Sequence, residues 1–132
     1  MSINDLVGKT LTEVLKEGGD GNYDNHQLKF VMDDGKTFCM FHRQDCCEHV
    51  YIESIVGDLE DLVGVPILTA EERSNTSDII DPDFPKTGDE SYTWTFYTIR
   101  TIKGSVDIRW YGSSNGYYSE DVTFCEEGKY AY

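Results

Sequence analysis

Residues 91–112 read Ser91-Tyr92-Thr93-Trp94-Thr95-Phe96-Tyr97-Thr98-Ile99-Arg100-Thr101-Ile102-Lys103-Gly104-Ser105-Val106-Asp107-Ile108-Arg109-Trp110-Tyr111-Gly112. Two runs rich in aromatic and β-branched residues, 91–102 and 106–112, flank Lys103-Gly104, a pattern typical of a β-hairpin. A two-residue turn at Lys103-Gly104 predicts three cross-strand pairs: Tyr97 with Trp110, Ile99 with Ile108, and Arg100 with Asp107. This register places apolar side chains on one face and opposite charges on the other.

A third run, residues 117–125, follows Ser113-Ser114-Asn115-Gly116 and predicts a third strand of an antiparallel meander. A five-residue turn over residues 113–117 sets its register. The expected neighbours are Val122 beside Ile108, Phe124 beside Val106, and Asp121 beside Arg109.

The alternation along these runs predicts one apolar core face: Tyr97, Ile99, Val106, Ile108, Trp110, Val122 and Phe124. The opposite face combines aromatic rings with arginine, whereas a solvated sheet face is normally rich in Thr, Lys and Glu. The candidate ligand-binding residues on it are Tyr92, Trp94, Phe96, Arg100, Arg109, Tyr111, Asn115 and Tyr117, with Tyr118 at the same tip.

Three interpretations of this second face remain open. A helix or loop of the same chain covers it, or it is an interface with a protein or a second copy, because Trp, Tyr and Arg anchor interfaces. Alternatively it binds a nucleotide-like molecule, since a ring can stack on a base and a guanidinium can engage a phosphate.

The upstream sequence also favours strands. Residues 10–16, 27–32, 36–42, 50–56 and 65–70 predict strands, and Asp33-Asp34-Gly35 predicts a tight hairpin turn between the second and third. Residues 58–64 carry an N-cap Asp, apolar residues three apart and a closing Gly, which predicts a short helix. Residues 71–90 predict a long acidic loop. We therefore expect a mainly β fold, an antiparallel sheet of about seven strands with one short helix.

Size and charge restrict the function classes. A chain of 132 residues fits one domain, residues 1–132, and 11 Lys and Arg against 25 Asp and Glu give a net charge of −14. This charge repels nucleic acid and anionic lipid. No apolar run approaches the roughly 20 residues of a membrane-spanning helix, and the first five residues lack the pattern of a signal peptide. We expect a cytoplasmic protein that binds neither nucleic acid nor membrane.

The segment from Cys39 to His49 concentrates the residues that bind zinc: Cys39, His42, Cys46, Cys47 and His49. Their spacing is not that of established zinc motifs, and a strand would place Cys39 and His42 on opposite faces. The favoured interpretation is that one or two of these cysteines are small buried residues. A metal site or a reactive thiol remains the alternative, although Asp45 and Glu48 oppose thiolate formation.

Motifs for catalysis are lacking. The sequence contains no nucleophile elbow, phosphate-binding glycine loop, H-E-x-x-H motif or dinucleotide fingerprint. Asp33-Asp34-Gly35 lacks the oxygen positions of a calcium loop. We predict no cofactor, and the lack of motifs favours a non-enzymatic role over an enzymatic one.

Two segments resemble a family of small proteins from bacteriophages and prophage-bearing bacteria, a domain of unknown function. They are His42-Arg43-Gln44-Asp45-Cys46-Cys47-Glu48-His49-Val50-Tyr51-Ile52-Glu53 and Glu90-Ser91-Tyr92-Thr93-Trp94-Thr95-Phe96-Tyr97, continued by residues 103–104 and 108–120. The resemblance implies a phage or prophage origin and a cytoplasmic setting, and it transfers no catalytic role. Arg43 stands where the family usually has an acidic residue.

These observations lead to three hypotheses. The first is a non-enzymatic phage accessory protein that binds a host protein, or a nucleotide-like signal used in antiviral defence. The second is a thiol- or metal-dependent enzyme built on His42, Cys46, Cys47 and His49. The third is an acidic mimic of DNA, which the charge of −14 motivates. An uncovered aromatic face would also favour a homo-oligomer.

Overall fold

The computed structural model describes residues 2–17, 26–43, 48–76, 91–115 and 119–127. These residues form eight strands and two 3-10 helices, Ile3–Leu6 and Leu59–Leu62. The strands are β1 (Leu11–Glu17), β2 (Gln27–Met32), β3 (Thr37–Phe41), β4 (His49–Val56), β5 (Thr69–Thr76), β6 (Ser91–Thr101), β7 (Gly104–Ser114) and β8 (Thr123–Glu126). The predicted mainly β class is confirmed.

The strands build two four-stranded antiparallel sheets that share one core. The first sheet has the order β1-β2-β3-β8, and the second has the order β4-β7-β6-β5. Buried side chains of both sheets form a single apolar cluster, to which Phe30 and Met40 contribute from the first sheet and Ile99 and Trp110 from the second. The Trp110 indole N–H donates to Met40 Sδ at 3.2 Å, which joins the sheets directly. The architecture is therefore a β-sandwich.

The hairpin of β2 and β3 forms as predicted. Asp33, Asp34 and Gly35 lie between the two strands, and Gly35 has φ of +89°, a conformation that glycine adopts without steric cost. The Lys36 N–H donates to Asp34 Oδ1 at 3.0 Å, and the Met32 N–H donates to the Lys36 carbonyl. Local turn chemistry thus fixes this pairing.

The predicted pairing of β6 with β7 is wrong by two residues. Tyr97 lies opposite Ile108 rather than Trp110, and Ile99 lies opposite Val106 rather than Ile108. The reason is the turn: β6 continues through Thr101 and β7 begins at Gly104, so the two turn residues are 102 and 103. A shift of two residues keeps each side chain on its predicted face, because the side-chain period of a strand is two.

The same shift changes the polar contacts. Arg100 lies opposite Ser105 and not opposite Asp107. Asp107 lies opposite Thr98, whose hydroxyl donates to Asp107 Oδ1 at 3.0 Å. A neutral hydrogen-bond donor therefore replaces the predicted ion pair.

The predicted meander is also wrong. β8 pairs with β3 in the first sheet, and the second neighbour of β7 is β4. Val122, Phe124 and Asp121 consequently do not lie in the strand beside β7. Phe124 still reaches the shared core, but it comes from the opposite sheet, where it stacks on Phe38 with ring centroids 5.5 Å apart.

The middle of the chain differs from the expectation in two places. The strand predicted at residues 65–70 runs over 69–76 instead, so residues 71–76 of the predicted acidic loop belong to β5, and residues 77–90 lie outside the described part of the chain. The predicted helix at 58–64 is one 3-10 turn. Its cap is as expected, since Asp58 accepts a hydrogen bond from the Glu60 N–H at 3.0 Å.

A double-mutant cycle tests this register. Combining Thr98→Ala with Asp107→Ala is expected to show a coupling of about 0.5–1 kcal/mol in urea unfolding, because each variant alone removes the same hydrogen bond. The cycle of Arg100→Ala with Asp107→Ala serves as the control, and its coupling is expected to stay below about 0.3 kcal/mol. A larger coupling for Arg100 with Asp107 than for Thr98 with Asp107 would contradict the observed register and support the pairing expected from the sequence.

Candidate functional site

The outward face of the second sheet carries a row of three aromatic side chains and one asparagine that crosses four strands. Tyr51, Tyr111, Trp94 and Asn75 lie opposite one another in β4, β7, β6 and β5, and we call them the aromatic row. The rings of Trp94 and Tyr111 have centroids 4.6 Å apart, and Tyr51 meets Tyr111 edge-on at 5.9 Å. Trp94 and Tyr111 are each 6% exposed. The row is therefore a packed layer and not an open stacking platform.

A second row lies beside it and is more accessible. Arg109, Phe96 and Arg73 lie opposite one another in β7, β6 and β5, and we call them the arginine row. The guanidinium of Arg73 lies 5.3 Å from the centroid of Phe96, and that of Arg109 lies 5.0 Å from the centroid of Trp94. Cations over ring faces are attracted by the ring quadrupole. The face of Trp94 that a base would stack on is thus occupied by Arg109.

The structure brings together most, but not all, of the predicted ligand-binding residues. Tyr92 stacks on Tyr111 and, with Trp94 and Phe96, joins the same cluster. Arg100 lies on this face four residues along β6 from Phe96, about 13 Å away. Asn115 is exposed just after β7, and Tyr117 lies outside the described residues.

Sequence reasoning missed Arg73, because residues 71–90 were interpreted as a loop. With Arg73 included, three of the four arginines in the chain lie on one sheet face. Among the described strand residues, Glu53, Glu71 and Asp107 are the acidic ones on the same face. The strand charges on this face therefore balance, although the whole chain carries −14.

Arg109 is held in place by an ion pair. Its Nε donates to Glu53 Oε2 at 2.7 Å, and each side chain is about one-third exposed. The hydrogen bond from Arg109 holds the pKa of the Glu53 carboxyl below its ordinary value, although partial burial opposes this. The guanidinium is consequently fixed between a ring and a carboxylate.

A buried polar junction links the first motif segment to Asp121, the residue directly after the second segment. His42, 6% exposed, lies with Nδ1 2.6 Å from the Asp121 carbonyl oxygen and with Nε2 2.9 Å from Glu48 Oε2. Because a carbonyl oxygen only accepts, Nδ1 is the donor in that bond. Glu48 is fully buried. The imidazole therefore joins the start of β4 to the segment that precedes β8.

A second buried carboxylate lies in the same segment. Glu120 accepts hydrogen bonds from the hydroxyls of Thr93 at 2.7 Å and Ser114 at 2.5 Å. Gly112 permits this approach, because a Cβ atom there would lie 2.9 Å from the Cβ of Glu120. The glycine and the glutamate of the second motif segment are thus explained by mutual packing.

The residues proposed as a metal or thiol site do not converge. Cys39 packs with Phe41 and Cys125, whereas the His42 ring bonds to Glu48 and Asp121, and His49 is exposed at the start of β4. Burial raises the pKa of both the Cys39 and Cys125 thiols. Cys46 and Cys47 lie outside the described residues. Within the described ranges, no three His, Cys, Asp or Glu side chains are placed to hold a metal ion.

A cleft opens on the other side of the second sheet. It has a volume of about 610 Å³ and lies between the inward faces of β5 and β6 and the segment of residues 121–125. Sequence analysis missed it, although Thr93 and Thr95 share the face of Tyr97 and Ile99 and already mark a change from apolar to hydroxyl side chains. Arg109 and Trp94 do not line this cleft.

Comparison with known proteins places the chain in a family. The family described as "Domain of unknown function (DUF7448)" matches residues 4–124. The chain belongs to the DUF7448 family. No match was found among curated proteins or among solved structures.

The match to the DUF7448 family covers residues 4–124, and the family description names no activity. The matched range includes both motif segments, the arginine row and most of the residues that line the cleft. In the described part of this DUF7448 chain, no helix has the length and apolarity needed to cross a membrane.

The Glu53–Arg109 pair predicts a pH dependence. A lowered pKa means that the pair contributes stability above the ordinary carboxyl value of 4.5 and loses it as pH falls through the folded-state value. Arg109→Gln is expected to raise the pKa of Glu53 in an NMR titration and to reduce stability at neutral pH by less than about 1 kcal/mol. Arg100→Gln is the control. An equal response to both substitutions would contradict the pairing.

The buried junction predicts a larger loss. His42→Ala leaves the Glu48 carboxyl inside the protein without the imidazole, and about 3 kcal/mol of unfolding free energy should be lost. Adding Glu48→Gln removes the buried charge, so the double variant is expected to be more stable than His42→Ala alone. Thermal and urea unfolding measure both. A double variant no more stable than the single variant would show that Glu48 does not depend on His42.

Proposed function

We propose that this DUF7448 protein is a non-catalytic binding protein that contacts an acidic patch of a partner protein through the arginine row. The observation that carries the proposal is the position of Arg73 and Arg109, each over an aromatic ring on an outward sheet face. Arginine and aromatic residues supply most of the binding energy in protein interfaces. This deepens the predicted role of a binding accessory protein.

The arginine row suits a protein surface because its members are already ordered. The Phe96 ring is partly buried against the aromatic row, and Arg109 is fixed by Glu53. Side chains that are held in position lose little conformational entropy on binding. Partner carboxylates facing Arg73 would form charge-assisted hydrogen bonds, which are stronger than neutral ones.

A protein is favoured over a nucleotide-like ligand on this face. Stacking of a base requires an accessible ring, and Trp94 and Tyr111 are packed against one another under Arg109. Tyr51 and Phe96 are the rings of this face that are only partly buried, and each packs against the buried cluster. To stack on Trp94, a nucleotide would have to displace Arg109 and break its pair with Glu53.

The sequence resemblance indicates which organism would supply the partner protein. Likeness to proteins of phages and prophages supports a bacterial host protein as the target, in the cytoplasm of the infected cell. Binding without chemistry would block that target, and a component of antiviral defence is the role we favour.

Affinity capture with charge-reversed variants tests this function. The bait is the immobilised protein in an extract of the bacterium that carries the gene, and the captured protein is then purified for binding kinetics. Arg73→Glu is expected to weaken binding at least about tenfold, and Phe96→Ala by a similar factor.

The control is Lys36→Glu, which changes the net charge equally at an exposed position outside the row. Equal weakening by Arg73→Glu and Lys36→Glu would contradict a role for the arginine row. If calorimetry shows that a nucleotide binds and that Trp94→Ala abolishes this binding, the face binds a nucleotide-like ligand and not a protein.

A further inference from the structure

In the described part of the chain, the inward face of the second sheet changes from apolar to polar along β5 and β6. Along β6 the inward side chains change from Ile99 and Tyr97 to Thr95 and Thr93. Along β5 they change from Ala70 to Glu72, Ser74 and Thr76. Apolar residues thus occupy the part that the first sheet covers, and polar residues occupy the part that lines the cleft. This distribution is built into the strand sequence, since alternate residues share a face.

The cleft has the size and the mixed lining of a small-molecule site. Its volume of about 610 Å³ lies within the range of roughly 300–1,000 Å³ that ligand pockets occupy. Five of the residues that line it carry hydroxyl groups: Ser74, Thr76, Thr93, Thr95 and Thr123. Val122 and Phe124 add an apolar wall, and Phe124 is held against Phe38.

The charges that line the cleft favour a positively charged ligand. Glu72 and Asp121 both line it, and the described lining residues include no Lys, Arg or His. The whole chain carries −14, so the field around the cleft reinforces the two carboxylates. An anion such as a phosphate would be repelled from it.

One carboxylate is oriented by the core. The buried Tyr97 hydroxyl donates to Glu72 Oε1 at 3.2 Å. Burial, together with the charge of Glu72, raises the pKa of Tyr97, so the phenol remains a donor throughout the accessible pH range. A carboxylate has about four acceptor sites, and one hydrogen bond leaves others for a ligand.

We propose that the cleft binds a small organic cation, an aliphatic primary amine. Its ammonium group would donate to Glu72 or Asp121 and to the threonine hydroxyls, and its methylene groups would lie against Val122 and Phe124. This site lies on the opposite side of the sheet from the arginine row, so it goes beyond the proposed function.

Isothermal titration with 1,4-diaminobutane tests the site, with 1,4-butanediol as the neutral analogue and inorganic phosphate as the anion. The diamine is expected to bind with one-to-one stoichiometry, and the other two are expected not to bind. Glu72→Gln should weaken the diamine at least about tenfold, because a charge-assisted contact is lost. Thr95→Val should weaken it by about threefold.

Glu71→Gln is the matched control. Glu71 is the neighbour of Glu72 on β5, is exposed on the opposite face, and gives the same change in net charge. Its variant is expected to bind the diamine within about twofold of the unsubstituted protein, since solvent screens an exposed charge. Equal losses for Glu71→Gln and Glu72→Gln, binding of the diol or phosphate, or no diamine binding would each overturn the proposal.

The two sites are tested separately. Glu72→Gln is expected to leave partner capture unchanged, and Arg73→Glu is expected to leave the diamine bound at the cleft with one-to-one stoichiometry. Failure of one experiment consequently does not decide the other. Circular dichroism and unfolding curves of each variant show whether a loss of binding is a loss of fold.

Discussion

The alternation of side chains along β6 and β7 is the constraint on which the rest of the structure depends. Inward residues of these strands, Ile99, Ile108 and Trp110, fill the core that both sheets share. Outward residues form the aromatic and arginine rows. Because the period is two, a shift by a single residue would move charged groups into the core and expose the apolar set. Burial of that set therefore fixes both faces at once.

The sequence predicted local features well and distant pairings poorly. The Asp-Gly turn, the Asp58 cap and the two faces of the hairpin are properties of neighbouring residues, and the structure has them. The predicted pairing of β6 with β7 is wrong by two residues, because the alternation of side chains fixes which face each residue occupies but is equally consistent with any shift by an even number of residues. β8 was assigned to the wrong sheet, because an aromatic β-branched segment pairs equally well with any available edge and the choice depends on the whole topology.

The candidate sites show the same division. Phe96 and Arg109 were found because they alternate within a single hairpin, whereas Arg73 and Glu72 depend on a strand that its acidic composition concealed. The cleft could not be predicted, since β5 and β6 line it together with residues 121–125, a segment that is distant from them in the sequence. The contacts of His42 with Glu48 and Asp121 likewise join segments far apart in the chain. Such junctions explain motif residues by packing, without assigning them to catalysis.

The two tryptophans provide the most direct test of the alternation, because Trp110 lies inward and Trp94 outward. In a nuclear Overhauser spectrum, the Trp110 indole N–H is expected to show a contact to the Met40 methyl group, because it donates to the adjacent Met40 Sδ at 3.2 Å. The Trp94 indole is expected to contact the Tyr111 ring. A contact of Trp94 with Met40, or of Trp110 with Tyr111 in place of Met40, would contradict the arrangement of the two faces.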